Sequence, residues 1–149
     1  MISTILVPTD GSATADKAGA YAVDLAKQLQ ASLLVISIVD KRLLVSRTVA
    51  IGPSGTGVAE SVDDYLREAA EGCVRKIAQL SEQAGVPVKA IITPGHPVEQ
   101  IVKEAERSKA DLIVMGSHGQ SALVAAALGS VTYGVIHKDT TIPILVVRR

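Results

Sequence analysis

Five short runs rich in aliphatic residues, at 5–7, 33–39, 88–93 (which also holds Lys89 and Thr93), 112–115 and 144–147, alternate along this chain with longer segments whose apolar residues recur at helical spacing. Turn residues close the runs: Pro8-Thr9-Asp10-Gly11-Ser12 after the first, Asp40 after the second, Pro94-Gly95-His96-Pro97 after the third and Gly116 after the fourth. Continuous apolar runs bounded in this way read as buried strands. Strands that alternate with helices imply a parallel sheet covered on both faces. Right-handed crossovers then narrow the architecture to an α/β, doubly wound, open sheet of five strands. The 149 residues make one domain, 1–149. The apolar content of 48% contains no Trp, no Phe and three Tyr, so the core is aliphatic, as a helix-covered parallel sheet requires.

The helical segments carry their own punctuation. Ala18, Ala22, Leu25, Ala26 and Leu29 mark the inner face of a helix over 13–30. Residues 41–60 read as an irregular connection, long enough to suggest a functional or mobile loop. From Ser61 the helical period returns through Val62, Leu66, Ala69, Cys73, Ile77, Leu80 and Ala84, and Gly85 stands where a helix C-cap belongs. Pro97 suits the first turn of a third helix with Val98, Ile101, Val102 and Ala105 inward. A last helix follows Gly129-Ser130, with Val131, Val135 and Ile136 as candidate buried positions.

Several function classes are disfavoured. Fifteen basic and fifteen acidic residues give zero formal net charge, with no dense basic run and few aromatic stacking platforms, so nucleic acid is not the expected partner. No apolar run is long enough to span a membrane, and the start MISTILVPTDGS lacks the basic region of a signal peptide. Cys73 is alone and reads as a buried thiol in a reducing cytoplasm. Residues 52–59, GPSGTGVA, imitate a phosphate-binding P-loop, with Gly52 and Gly57 at the right separation. Val58 and Ala59 stand where the required Lys and Ser/Thr belong, so the stretch reads as a connector.

The stretch that carries chemistry is GSHGQSALVAAALGS, residues 116–130, directly after the fourth strand. Gly116, Gly119 and Gly129 allow close backbone approach, and consecutive N–H groups can form an anion nest. Gly129-Ser130 opens a helix, whose free N–H groups and positive dipole end favour anions. Ser130 and Thr132 add hydroxyls. In open α/β sheets ligands bind beyond the carboxyl ends of the strands, at the point where strand order reverses. If the first and fourth strands flank that point, Asp10 and Gly116 face one crevice. By spacing alone, a glycine-rich turn without ligand remains equally open.

This segment resembles the signature of the universal stress protein family, in its nucleotide-binding branch. PTDGS, ISIVD, ADLIVMGSHG and PILVVRR resemble the same family in the same order, over the whole chain. The resemblance implies an adenine nucleotide alpha hydrolase-like fold with strand order 3-2-1-4-5, and ATP, with or without Mg²⁺, between the first and fourth strands. Asp10 matches the ribose contact, Pro8 and Thr9 flank the adenine, and Ile38 matches the residue whose backbone reads the adenine edge. Met115 lines the base pocket. Gly116, Ser117, His118, Gly119 and Gln120 match the loop over the phosphates, and Gly129, Ser130, Val131 and Thr132 the helix start that binds them. The resemblance also implies a homodimer through the last strand, Ile144, Leu145, Val146 and Val147, whose open edge seeks a partner.

One departure stands out. Where many nucleotide-binding members carry Lys or Arg after the second glycine and before the third, this chain has Gln120 and the neutral run Ala122 to Leu128. Binding is expected to persist but weaken, because a lost charge-assisted contact costs about 1.5–3 kcal/mol. His96, His118 and His137 share no metal-ligand spacing. His118 is the candidate phosphate contact, His137 a partner of a helix dipole and His96 a turn residue. Asp10 has a second reading as the N-cap of the first helix. No nucleophile elbow or Ser-His-Asp set appears, so the expectation is a cytoplasmic ATP-binding switch or sensor of the stress response with at most slow hydrolysis. A slow ATPase and a ligand-free dimeric module are the alternatives.

Overall fold

The structure, a computed structural model, describes residues 1–42, 56–119 and 128–148, with the backbone alone for 56–61. Five parallel strands form one sheet: β1 (Thr4–Pro8), β2 (Ser32–Val39), β3 (Val88–Pro94), β4 (Leu112–Gly116) and β5 (Ile144–Val147). Their order is β3-β2-β1-β4-β5, as the resemblance implied. The helices described in full that connect or flank them are α1 (Ala13–Leu29), α2 (Thr56–Gln83), α3 (Pro97–Arg107) and α4 (Ser130–Ile136).

The alternation of side chains along the central strands builds two cores. Ile5, Val7, Leu33, Val35 and Val114 point toward Ala18, Ala22 and Ala26 of α1 and Val74 and Ile77 of α2. Leu6, Ile36, Ile113 and Met115 point the other way, toward Val98, Ile101 and Ala105 of α3 and Val135 of α4. The central strands are therefore apolar on both faces over most of their length, with Ser37 of β2 a buried polar exception, because both faces are covered. The chain leaves β1 toward one face and β4 toward the other, so the strand order reverses between these two neighbours.

Four details differ from the sequence reading. Helix α2 begins at Thr56, so 56–60 are helical rather than part of the connection, while 43–55 lie outside the described residues. Its buried stripe is Ala70, Val74, Ile77 and Ser81, rotated about one residue from the expected one, and Ala69 and Leu80 are exposed. Ser81 hides the true face from a hydrophobic pattern, because its hydroxyl is satisfied internally by the Val86 carbonyl at 3.0 Å. Leu29 and Ile136 are exposed, and Cys73 is half-buried rather than buried, with desolvation pushing its thiol pKa up. Gly85 does end α2, at φ 75°.

Asp111, just before β4, ties the lower ends of β1 and β4 together. Its Oδ2 accepts the Ser3 N–H at 2.8 Å, the Ser3 hydroxyl at 2.9 Å and the Thr4 N–H at 3.0 Å. The Ser3 and Thr4 amides hold this carboxyl below its ordinary value of 3.8. A depressed folded-state pKa gives stability that is present above the unfolded value and lost as pH falls through the folded one. Asp111→Asn is therefore expected to lower the urea midpoint at pH 7 and to shrink its further drop on acidification below that ordinary value. An unchanged acid profile would remove Asp111 from the account.

Candidate functional site

The crevice forms where β1 and β4 end. At the end of β1, the Thr9 N–H extends the pairing by donating to the Ile36 carbonyl at 2.9 Å, and the buried Thr9 hydroxyl accepts the Gly11 N–H at 3.2 Å. Asp10 is exposed, and its Oδ1 accepts the Ser12 N–H at 3.0 Å. The N-cap of α1 is Ser12, whose hydroxyl accepts the Ala15 N–H at 3.2 Å. Asp10 is thus not the helix cap. Its carboxylate instead turns toward the opposite loop, since a methyl group on Gly119 would come within 2.5 Å of Asp10 Oδ2.

The loop after β4 is held in place from three sides. Its Ser117 N–H donates to the Val147 carbonyl of β5 at 2.9 Å. The Thr14 hydroxyl of α1 donates to the His118 carbonyl at 2.6 Å, and Ser12 reaches the same oxygen at 3.5 Å. From the start of α4, the Gly129 N–H donates to the Ser117 carbonyl at 2.7 Å. The Thr132 hydroxyl donates to the Gly116 carbonyl at 2.7 Å. Gly116 and Gly129 are glycines for space. A methyl group would meet the Thr14 backbone at 2.9 Å in the first case and the His118 Cα at 3.1 Å in the second.

His118 is fixed by its neighbours. Its Nδ1 lies 2.7 Å from the buried Ser117 hydroxyl, while its Nε2 is buried and has no hydrogen-bond partner. A buried unpartnered nitrogen is costly unless something completes it. Ser130 is exposed at the first turn of α4.

The structure therefore gathers Asp10, Gly116, Ser117, His118, Gly119, Gly129 and Ser130 at one place, with Pro8 and Thr9 beside them. Three expectations change in detail. Thr132 is not an available donor, because its buried hydroxyl closes on Gly116. The Met115 side chain lies within the α3–α4 core, and half-buried Ile38 and Val131 pack against that same core. Gln120 and residues 121–127 lie outside the described residues. Ser12 and Thr14 were missed as loop-holding residues. Ser12 had a local signal, a serine just before a helical apolar pattern; Thr14 had none.

The other histidines act locally. The His137 ring stacks on Tyr133 at 4.0 Å between centroids, and its Nδ1 lies 2.8 Å from the Tyr133 carbonyl at the end of α4. His96 is the N-cap residue of α3. It shares a cavity of about 300 Å³ with Asp40 and Arg42, whose bidentate pair, at 2.7 and 2.9 Å, lowers the Asp40 pKa. A cavity of about 380 Å³ lies at the opposite end of the sheet, by Thr4, Ser32, Lys89 and Arg107. Neither cavity contains the gathered residues. Among the described residues no group of three or more His, Cys, Asp or Glu is arranged to hold a metal ion.

Comparison with known proteins gives a consistent result. The family model described as the universal stress protein family matches residues 1–148. Universal stress protein MJ0577 of Methanocaldococcus jannaschii is 38% identical over 158 aligned positions, covering 100% of this chain and 96% of that protein. The solved structure of MJ0577 superposes with a TM-score of 0.80 at 35% identity, covering 100% of this chain and 97% of the other. Two more distant structures share the fold. One is a universal stress protein in complex with cAMP, with a TM-score of 0.68, 23% identity and coverage of 99% and 97%. The other is the universal stress protein from Archaeoglobus fulgidus in complex with dAMP, with a TM-score of 0.69, 17% identity and coverage of 99% and 98%. The shared architecture is the adenine nucleotide alpha hydrolase-like fold.

Proposed function

The chain belongs to the universal stress protein family, and from that premise we propose that it binds an adenine nucleotide, ATP with Mg²⁺ included, and acts in the stress response as a nucleotide-dependent switch. The observation that carries this reading is the junction of the β1 and β4 ends. There Asp10 faces Gly119, and hydrogen bonds from α1, α4 and β5 hold the Gly116–Gly119 loop in one conformation. This is the strand-reversal position where open α/β sheets take their ligands. Two fold neighbours hold adenine nucleotides, cAMP and dAMP.

In this reading Asp10 accepts from the ribose hydroxyls, and Pro8, Thr9 and the Ile38 backbone contact the base. Met115 forms the floor from within the core. Backbone N–H groups, His118 and Ser130 receive phosphate. Gln120, Val131 and Thr132 complete the set, Thr132 by fixing the loop rather than by touching phosphate. Mg²⁺ would be carried on the phosphates and water. The lone Cys73 fits a reducing cytoplasm as the place of action.

Calorimetric titration of nucleotide-stripped protein with ATP and Mg²⁺ tests the reading. Asp10→Ala is expected to weaken binding about 10- to 100-fold, the range of a lost hydrogen bond to a charged group. Ser130→Ala is expected to weaken it less, because its contact is neutral. No heat from wild type with any adenine nucleotide at millimolar concentration would sink the proposal.

The same reading includes a homodimer through Ile144, Leu145, Val146 and Val147. β5 is an edge strand, paired with β4 alone among the described strands. An edge lysine discourages strand-to-strand association. Val146→Lys is therefore expected to shift sedimentation from dimer toward monomer, and a dimer of unchanged affinity would rule this interface out.

A further inference from the structure

The carboxyl end of β5 lies against the loop that follows β4. Gly116 and Val147 are Cα partners in the parallel register. The pairing runs one step further, because the Ser117 N–H donates to the Val147 carbonyl at 2.9 Å. On its other side, the Ser117 carbonyl accepts the Gly129 N–H at 2.7 Å. Ser117 is therefore pinned between the end of β5 and the start of α4. Arg148 follows Val147 directly, so the same pairing sets it beside the loop.

The strand also decides on which face Arg148 stands. Leu145 and Val147 pack into the core shared with α1 and α2, and Ile144 into the core shared with α3 and α4. Side chains alternate along a strand. Carried one residue past Val147, the alternation sets Arg148 on the side of α4, whose first turn carries the exposed Ser130. Arg148 is itself exposed. Ion pairs among the described residues commit Arg42 to Asp40, Lys76 to Asp16 and Arg107 to Glu104, and none of them takes Arg148. The same loop holds the buried His118 Nε2, a nitrogen without a hydrogen-bond partner. A cationic side chain and an unanswered imidazole nitrogen thus stand beside one pinned residue.

Arginine suits phosphate in particular. Its guanidinium is always charged, and its N–H donors form a planar fork that matches two phosphate oxygens. Resting on the adenine-nucleotide reading above, we propose that Arg148 is a phosphate-binding side chain of the site, entering it from the end of β5 rather than from the glycine loop. The edge strand of the sheet thereby contributes to ligand choice, favouring nucleotides over nucleosides.

The test is calorimetric titration of the full, nucleotide-stripped chain with ATP and with adenosine in one Mg²⁺ buffer. Wild type, Arg148→Gln, Arg148→Lys and Arg149→Gln are compared at about 0.15 M and about 1 M salt, between which the screening length falls from about 8 Å to about 3 Å. A contact between touching groups survives that screening, whereas the field of a distant charge does not. Arg148→Gln is expected to lower the ATP-to-adenosine affinity ratio about tenfold at both salt concentrations, the lower end for a charge-assisted contact. Arg148→Lys keeps the charge but loses the fork, and is expected to restore part of the ratio. Arg149→Gln is expected to change the ratio far less. Thermal melts check that the variants fold, and little shift is expected from substitutions at an exposed position.

A wild-type ratio in Arg148→Gln would overturn the proposal, as would a loss confined to the lower salt or an equal loss in Arg149→Gln. Each of these results leaves the nucleotide site standing. Failure of both ATP and adenosine to bind wild type would overturn the adenine-nucleotide reading, and the role of Arg148 with it.

Discussion

Gly116→Val is expected to destabilise the protein by about 3 kcal/mol or more, toward the upper end for forced overpacking. Gly116 ends β4 and is fully enclosed beneath the first turn of α1. Its Cβ would lie 2.9 Å from both the carbonyl carbon and the oxygen of Thr14, and 3.1 Å from the Ala15 nitrogen. These are backbone atoms, so no rotamer change relieves the contact. The helix itself would have to lift off the sheet. That movement would also break the Thr14 bond to His118 and the Thr132 bond to Gly116, which together hold the loop. Typical domains are stable by only about 5–15 kcal/mol. A loss of this size should therefore shift the urea midpoint strongly, with Gly116→Ala falling between valine and wild type. A valine variant with the wild-type midpoint would show that α1 is free to move, and the rigid-loop account would fail with it.

Ile77→Ala is the second large effect, expected to cost about 2–5 kcal/mol as a buried large-to-small change. Ile77 is fully buried where α2 crosses α1, and it occupies the space left by Gly19. A methyl group on Gly19 would lie 2.6 Å from Ile77 Cδ1 and 2.7 Å from Cγ1. The two positions should therefore couple. In the wild-type background Gly19→Ala forces the isoleucine aside and is expected to gain little or to destabilise. In the Ile77→Ala background the same change fills part of the cavity and improves helix propensity by about 1 kcal/mol, so it should stabilise. Urea denaturation of the four proteins measures the coupling. Additive effects would mean that the helices do not meet in this way.

Elements with only one viable environment were the easiest to find in the sequence. The strand cores at 5–7, 33–39 and 112–115 were clear because a run of Ile, Val and Leu without polar alternation has no place but a sheet covered on both sides. α3 was equally clear, with Val98, Ile101, Val102 and Ala105 all buried as spaced. α2 was harder. Its inner stripe contains Ser81, which counts as polar in any pattern, and its outer face carries Ala69 and Leu80, which count as apolar. Periodicity fitted to hydrophobicity alone therefore settled one residue out of phase. Its start at Thr56 was masked by glycines and serine that read as a connector. Ile136 misled for the same reason as Leu80: an exposed aliphatic residue on a helix is common and carries no label.

The candidate site divides along the same line. Gly116, Gly119 and Gly129 were singled out by their spacing, because close backbone approach needs glycine, although by spacing alone a turn without ligand was equally open. What each hydroxyl does was not visible. Thr132 and Ser130 are both hydroxyl residues in the first turn of α4, yet one is sealed against the Gly116 carbonyl and the other is exposed. Thr14 is more than a hundred positions from His118, and nothing in its local sequence marks it as the residue that holds that loop.

The sequence alone pointed to a doubly wound parallel sheet, because buried strands, helical periods and right-handed crossovers depend on local residue types and on rules of chain handedness; that β1 and β4 are the neighbours at the strand reversal is given by the tertiary structure. Only the tertiary structure decided which donors remain for a ligand. A hydrogen bond is a matter of distance and direction between groups that the chain brings together from far apart, and a group already satisfied inside the fold has little left to offer outside it.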